Sequence, residues 1–514
     1  MQDPKKQHLS LAIDTILNNK QALIFYSTKR SAEKGADDIA RQIGKLDNKE
    51  IVKEGLLSVS DSILKTYPNP TRQCERLSNA VKSGVAFHHS GLPSKQRKII
   101  EDEFRKNNIR IICCTPTLAA GVDLPSYRTI IRDVKRYGHR GMDYIPVLEY
   151  LQMAGRSGRP SYDTHGECFL IAQSEGEMNI LKDRYINGIP EEIYSKLAAE
   201  PALRSHILSL IVQGHANSEE ELLEFMNNSF YGYQYKDKQR IMIILRRILK
   251  FLEDNNFIIM SRATQENDAD DLYSSAYDIL KNNSIKSTLL GNRISELYLD
   301  PLSASIIIKH IKNNSIASYG WFPLIHLLAQ SLELKPYPSI RKKDYETIEE
   351  QLGKEELLVG EEDHDYDYEA FLKTLKLAII MESWIKEEDE KSLMEKYDIT
   401  PGEFHAKLTI YDWLCYSATE ICRIIEKNGE RTTFQKLRLM IKNGVSQELI
   451  SLVRIKGIGR KRARILYNNN IRTRTDILKT DIRKLELLVG LKTAQKIKGT
   501  SIIAKDNRQG TLPK

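Results

Sequence analysis

No stretch of the 514 residues is apolar for long enough to span a bilayer. The opening segment, MQDPKKQHLS, lacks the apolar block of a secretory signal. Both absences lead to the expectation of a cytoplasmic protein with no membrane partner. Cysteine is scarce: Cys74, Cys113, Cys114, Cys168, Cys415 and Cys422 are the whole complement, and no two form a CxxC pair. That argues against structural zinc and fits a reducing compartment, and no metal site is expected in this chain. A phosphate loop, G-x-x-x-x-G-K-[ST], is also absent. KGIGRKR lacks its spacing and its Lys-Ser/Thr end. LLVGEEDH (357–364) imitates an acidic metal box, but Glu361 stands where a metal-binding Asp is needed. Acidic residues are rare at one end only. From Ser451 onward there are 17 Lys and Arg against 4 Asp and Glu, leaving 60 against 65 in the rest. A basic terminal domain on a slightly acidic body points to a local polyanion contact, or to a solvated basic tail.

What is present begins with alternation. QALIFYS (21–27), GVAFHH (84–89), IRIICC (109–114), YRTIIRDV (127–134) and GECFLIA (166–172) read as short buried strands. Helical patterns lie between them, from Lys29 and from Ser94 to Lys106. Strands alternating with helices predict a parallel sheet covered on both faces. From about Pro190 the pattern turns helical. ALRSHILSLIV, SEEELLEFMNN and DKQRIMIILRRILKFLEDNN, followed by the strand FIIMS (257–261), suggest a winged helix. A helical array starts at DPLSASIIIKHIKN (300–313) and runs to about Lys427, with an acidic loop GEEDHDYDYEA. LVRIKGIGRKRARILYNNN (452–470) opens a small basic helical domain. The expected divisions are 1–188, 189–288, 289–430, 431–500 and a tail 501–514.

Two motifs carry chemistry. In TPTLAAGVDLP (115–125), Thr115 and Thr117 offer hydroxyls near a helix start, a phosphate-contact geometry. Gly121 and Asp123 would let the backbone approach a nucleotide and its ribose. Alone, the stretch reads better as an ordinary strand-to-helix turn. YLQMAGRSGRP (150–160) sets Arg156 and Arg159 among small residues. Alone, it could be a surface loop. The pair, in this order on a parallel sheet, is more specific.

Here the sequence resembles the second RecA-like lobe of superfamily 2 helicases. ALIFYSTKRSAE looks like motif IV, FHHSGLP like the motif IVa region, CCTPTLAAGVDLP like motif V and QMAGRSGRP like motif VI. The downstream order is similar to the archaeal Hjm-type DNA helicases, whose eukaryotic relatives include the helicase part of polymerase theta. The resemblance implies a multidomain fold. An α/β RecA-like lobe is followed by a winged helix, a helical ratchet bundle and a helix-hairpin-helix domain. It implies that Arg156 and Arg159 are arginine fingers reaching the γ-phosphate of ATP, with Gln152, Gly121 and Asp123 on the nucleotide side. Ser27, Arg30, Thr115 and Thr117 would face the DNA backbone.

In that family a β-hairpin between motifs V and VI splits the duplex. IIRDVKRYGHRGMDYIPV (130–147) has two apolar-rich arms about Gly138 and Gly141, and a tip of Arg136, Tyr137, His139 and Arg140. The ratchet helix of the family matches TPGEFHAKLTIYDWLCYSA (400–418), with Trp413 as the base-stacking candidate or a core residue. Relatives carry an arginine two turns earlier. Here that position is Ala406, with Lys407 beside it as the substitute phosphate contact. Trp321 and Trp384 are expected in the core. In the helix-hairpin-helix signature, Gly457 and Gly459 would turn backbone N–H groups to a phosphate beside Arg460, Lys461 and Arg462, a salt-sensitive contact. QGTLPK (509–514) faintly resembles the start of a sliding-clamp peptide.

By the resemblance, a helicase motor needs a first lobe with the phosphate loop and an Asp-Glu box, which would hold most of the ATP and the Mg²⁺. The expectation is the C-terminal part of an ATP-dependent 3′–5′ DNA helicase acting on single-stranded, forked or branched DNA in replication-coupled repair and recombination. It would be inactive without a first lobe supplied in cis or in trans: a fragment, a truncated product or one half of a split enzyme. A sliding clamp or a junction nuclease are further partners the family suggests. The alternative is a non-catalytic DNA-binding module. A helix-hairpin-helix nuclease or glycosylase lacks its acidic cluster or catalytic lysine.

Overall fold

The computed structural model describes residues 6–45, 55–66, 70–119, 122–138, 141–158, 163–198, 200–236, 238–261, 284–354, 356–364 and 367–499. The chain divides into two compact units. One comprises 1–193 with 398–405, the other 194–397 with 406–514.

The first unit is built on a five-stranded parallel sheet in the order β2-β3-β1-β4-β7. The strands are β1 (Ala22–Phe25), β2 (Val85–His88), β3 (Ile111–Cys114), β4 (Arg128–Ile131) and β7 (Glu167–Leu170). Each coincides with one of the apolar runs. The side chains of the first four strands are buried throughout, as a sheet covered on both faces requires, whereas β7 at the edge is partly exposed. Helices Lys29–Ile43, Arg72–Val81, Ser94–Arg105 and Val147–Ala154 intervene. Thr28 caps the first of these, accepting from the Ser31 N–H at 3.1 Å. Leu23, Ile24, Phe25, Phe87, Ile112 and Ile130 lie in the core. Cys113 and Cys114 are wholly buried, and burial pushes both thiols far up. They act as small hydrophobes.

Between β4 and the helix Val147–Ala154, β5 (Lys135–Gly138) and β6 (Gly141–Tyr144) form an antiparallel hairpin. Its register pairs Tyr137 with Met142 and Gly138 with Gly141. Gly141 takes φ +118°, a conformation that glycine adopts without strain.

The second unit opens with helices Glu200–Val212, Glu219–Asn227 and Lys238–Asp254 and an antiparallel ribbon of β8 (Ile258–Met260) and β9 (Ile285–Ser287). Ser218 caps the second of these helices. Arg204, almost wholly buried, donates to Asp300 at 2.8 Å, and Asp300 caps the helix Pro301–Asn313. The array continues through Trp321–Ala329, Lys342–Leu352, Tyr368–Ile385, the helix Pro401–Ile424 from Ala406 onward, and Asn428–Asn443. A buried ion pair, Lys376–Asp344 at 2.7 Å, fastens two of these helices. A separate apolar cluster including Leu449, Leu452, Ala463, Leu466, Ile477, Leu485 and Ile497 forms the core of the terminal helices. No helix among the described residues is long and apolar enough to cross a membrane.

Candidate functional site

Motifs V and VI are joined through backbone. The Ser126 N–H donates to the Arg156 carbonyl at 2.8 Å, and the Gly158 N–H returns to the Ser126 carbonyl at 2.7 Å. The Arg156 guanidinium then crosses to motif V, where its Nε donates to the Ala119 carbonyl at 3.0 Å and its Nη2 donates to the same oxygen. Its Nη1 has no hydrogen-bond partner among the described residues. Gln152 and Asp123 are exposed. Arg159 and Gly121 lie outside the described residues. The described part of the site therefore offers one anchored arginine and exposed polar groups, a set that suits one phosphoryl group and does not enclose a nucleotide.

Thr115 is almost fully buried, and its hydroxyl lies 2.9 Å from that of exposed Thr117. The expected helix start at these residues is a single 3₁₀ turn, Pro116–Leu118, which contains Thr117 and is too short to present a helix dipole. Ser27 directs both donors at one carboxylate: its N–H lies 3.1 Å and its hydroxyl 3.4 Å from Asp133. Arg30 is paired with Asp398 at 3.2 Å, with its own side chain 79% exposed. An exposed pair of that kind holds the arginine weakly. On the hairpin, Arg136 pairs with Glu149 at 2.9 Å. The Tyr137 side chain, His139 and Arg140 lie outside the described residues.

The motif IVa region serves the interior. His89 is fully buried, its Nδ1 accepting from the Gly91 N–H at 3.1 Å and its Nε2 facing Glu33 at 3.2 Å. This pattern assigns a neutral ring with its proton on Nε2. The Gly91 carbonyl accepts from the Gly402 N–H at 2.9 Å. Lys29 forms an ion pair with Glu403, whose carboxylate also accepts from the Thr400 hydroxyl at 2.8 Å. Segment 398–405, which holds the first turn of the helix Pro401–Ile424, is therefore fastened within the first unit by motif IV and motif IVa residues.

Further along that helix, two expectations separate. Trp413 is half-exposed, among buried Tyr411, Leu414 and Cys415. Lys407 is not a phosphate contact. Only 8% of it is exposed, and its Nζ donates to the Leu334 carbonyl and, at 2.9 Å, to the Pro336 carbonyl. Position 407 shares the inward face with Tyr411 and Leu414, four and seven residues on, so its charge is carried inside and satisfied by carbonyls. Trp384 is buried and donates Nε1–H to the Ile441 carbonyl at 2.7 Å. Trp321 is half-exposed at the start of its helix instead of buried.

The hairpin turn of the basic domain has Gly457 at φ +104° and Gly459 preceding the helix Arg460–Asn468. Lys461 and Arg462 are exposed there, and Arg462 Nη1 donates to the Gly457 carbonyl at 3.2 Å. Arg460 departs from expectation. Its guanidinium lies 4.6 Å from the Trp384 ring centre and donates to the Glu388 carbonyl at 2.5 Å. Burial holds its pKa below the usual arginine value. Arg464, one turn on, is bidentate to Glu387, with Nε to Oε2 at 2.9 Å. These two arginines fasten the hairpin domain to the turn after the helix Tyr368–Ile385, while Lys461 and Arg462 stay exposed.

Family models match most of this architecture. A helicase conserved C-terminal domain covers 62–161, a helix-turn-helix domain 166–259, an archaeal helicase domain 4 322–444, and a SAM-like helix-hairpin-helix tandem 447–498. The chain is 36% identical over 493 residues to the ATP-dependent DNA helicase Hel308 of Methanocella arvoryzae, covering 94% of this chain and 62% of that protein. It is 34% identical to the Hel308 of Methanococcus vannielii, covering 95% and 66%, and 34% identical to that of Pyrococcus horikoshii, covering 98% and 67%. The chain belongs to the archaeal Hel308 helicase family. It spans about two thirds of the length of these Hel308 relatives.

The terminal domain holds a second hairpin, in keeping with the tandem match, that was not among the expectations above. Gly490, at φ +84°, separates the helix Ile482–Val489 from the helical residues 491–499, and its carbonyl accepts from the Ala494 N–H at 2.9 Å. The signal is in VGLKTA, a weak echo of IGRKRA with one glycine in place of two. Lys492 is exposed at that turn.

Proposed function

We propose that this Hel308-family chain forms the DNA-engaging and arginine-finger portion of an ATP-dependent 3′–5′ helicase for forked or branched DNA. The reading rests on one observation above others. Motifs V and VI are locked together by reciprocal backbone bonds through Ser126, while the Arg156 guanidinium sits on the Ala119 carbonyl. A guanidinium fixed in this way costs little reorganisation when it meets developing negative charge, the condition for electrostatic stabilisation of phosphoryl transfer. Arg159 supplies the second cation, and Gln152 and Asp123 contact the nucleotide.

Bound Mg²⁺ would neutralise charge on the phosphate oxygens, and its ligands belong to a first RecA-like lobe. The 514 residues contain no phosphate loop, so that lobe, in cis or in trans, completes the pocket. On the DNA side, Thr117, the hairpin, Trp413 and the exposed cations Lys461 and Arg462 provide contacts. A clamp or junction nuclease as partner, and a place at the nucleoid during repair and recombination, follow from the family alone.

The test is unwinding of a labelled fork by this chain mixed with a first lobe taken from a Hel308 relative. Arg159→Ala in that mixture is expected to reduce unwinding and ATP turnover by roughly 10³-fold or more, with fork affinity within a few-fold. Collapse of fork binding with unchanged turnover overturns the assignment.

A further inference from the structure

Helix Pro401–Ile424 has an outward stripe that the function above uses only in part. Lys407, Tyr411, Leu414, Cys415, Ala418, Ile421 and Cys422 are buried, while Thr409, Trp413, Tyr416 and Glu420 reach the surface wholly or in part. Trp413 and Tyr416 are three residues apart and so share a face. We propose that Tyr416 is a second base-stacking position for single-stranded DNA beside Trp413. This rests on Trp413 itself meeting DNA, as proposed above.

The ring of Tyr416 is held from two sides. The Arg438 guanidinium lies 4.9 Å from its centre. Arg438 is in turn fixed by Asp412, with Nε to Oδ1 at 2.9 Å and Nη2 to Oδ2 at 3.2 Å. At the rim, Arg293 Nη2 donates to the Tyr416 hydroxyl at 3.0 Å and also pairs with Glu420 at 3.1 Å. An aromatic ring already fixed loses little side-chain entropy when a base settles on it. Three residues of helix advance about 4.5 Å, against about 3.4 Å per nucleotide in a stacked strand. Bases on the two rings are therefore close neighbours along one strand. Arg438, which acts through the ring, is a positioning residue.

Charge decides what kind of contact this is. Arg293, Arg423 and Arg438 face Asp412, Glu420 and Glu296, three cations against three carboxylates, with Arg293 to Glu296 at 2.6 Å and Arg423 to Glu420 at 3.0 Å. The cluster carries no excess of positive charge with which to hold a phosphate. Tyr416 therefore contributes by stacking, which is insensitive to salt, in contrast to Lys461 and Arg462.

The experiment measures binding of fluorescent oligo(dT) to the full 514-residue chain across a salt series, with Tyr416→Ala, Tyr416→Phe and Trp413→Ala. Tyr416→Ala is expected to weaken binding roughly 5- to 150-fold, the loss of one stacked base, with an unchanged slope of log affinity on log salt. Tyr416→Phe, which keeps the ring, is expected to stay within about threefold. Oligonucleotides carrying a 5-iodouracil are expected to photocross-link to both Trp413 and Tyr416 in the unmodified chain, a readout that needs no folded variant. Full affinity in Tyr416→Ala beside a weakened Trp413→Ala, or cross-links to Trp413 alone, overturns the second position and leaves the first standing. An unmodified chain that does not bind oligo(dT) overturns both.

Discussion

Lys407 offers a sharp contrast between a structural and a DNA-binding cation. Lys407→Met keeps most of the aliphatic stem and removes the ammonium. It strands the Leu334 and Pro336 carbonyls, which now accept from Nζ inside the helical array. Each buried carbonyl left unpaired costs about 1–3 kcal/mol. Relief from desolvating the ammonium offsets part of that, so the net loss is about 2–4 kcal/mol. At about 2–4 °C per kcal/mol for a domain of 150–250 residues, Tm falls by roughly 4–16 °C. Thermal unfolding followed by circular dichroism measures the loss. Oligo(dT) affinity at 20 °C, where the variant is still folded, is expected within about twofold, since neither carbonyl meets DNA. An unchanged Tm, with a tenfold weaker affinity and a salt slope smaller by about 0.7, is the signature of one lost phosphate contact on a single strand. That result refutes the buried assignment.

Gly444 occupies a left-handed position at φ +61°, and a Cβ there would lie 2.4 Å from the Trp384 ring. Gly444→Ala is expected to cost about 2–4 kcal/mol from the backbone and the overlap together, read as a lower urea midpoint with the same m-value. For pH, burial and then Arg132 lower the His8 pKa to about 4. The folded state therefore binds fewer protons than the unfolded one, and His8's contribution is complete above pH 6.5 and lost as pH falls toward 4. His88 and His310, also held low by burial, act in the same direction. His8→Leu should flatten the dependence of Tm on pH between 6.5 and 5, and an unaltered slope would show that His8 titrates normally.

Much of the fold is written in the residue pattern. Runs such as ALIF and IICC are apolar at consecutive positions, as a strand covered on both faces is, and the five runs became the five strands of the sheet. The hairpin was expected from the family resemblance, and Gly138 and Gly141, which suit its turn, would not have separated it from an ordinary basic loop on their own. The ribbon partner β9 was not, because IKS is three residues long, too short for periodicity to register. Cations were the least legible class. Lys407 stands beside the position of a family arginine and Arg460 in a basic run, yet one is bonded to interior carbonyls and the other stacks on Trp384. Their fate depends on which helical face packs inward and on a tryptophan 76 positions away in the chain, between Trp384 and Arg460. Glu403 and Asp398, the partners of Lys29 and Arg30, are more distant still. Composition records the charge of such residues and says nothing of what neutralises it.

The most direct measurement is steady-state ATP turnover in the presence of single-stranded DNA, for the purified 514-residue chain alone and mixed with a first lobe from a Hel308 relative. The account predicts no turnover above background alone and DNA-stimulated turnover in the mixture, lost again on Arg159→Ala. DNA-stimulated turnover above background by the pure chain alone would contradict the claim that the phosphate-binding half of the site must be supplied by another lobe.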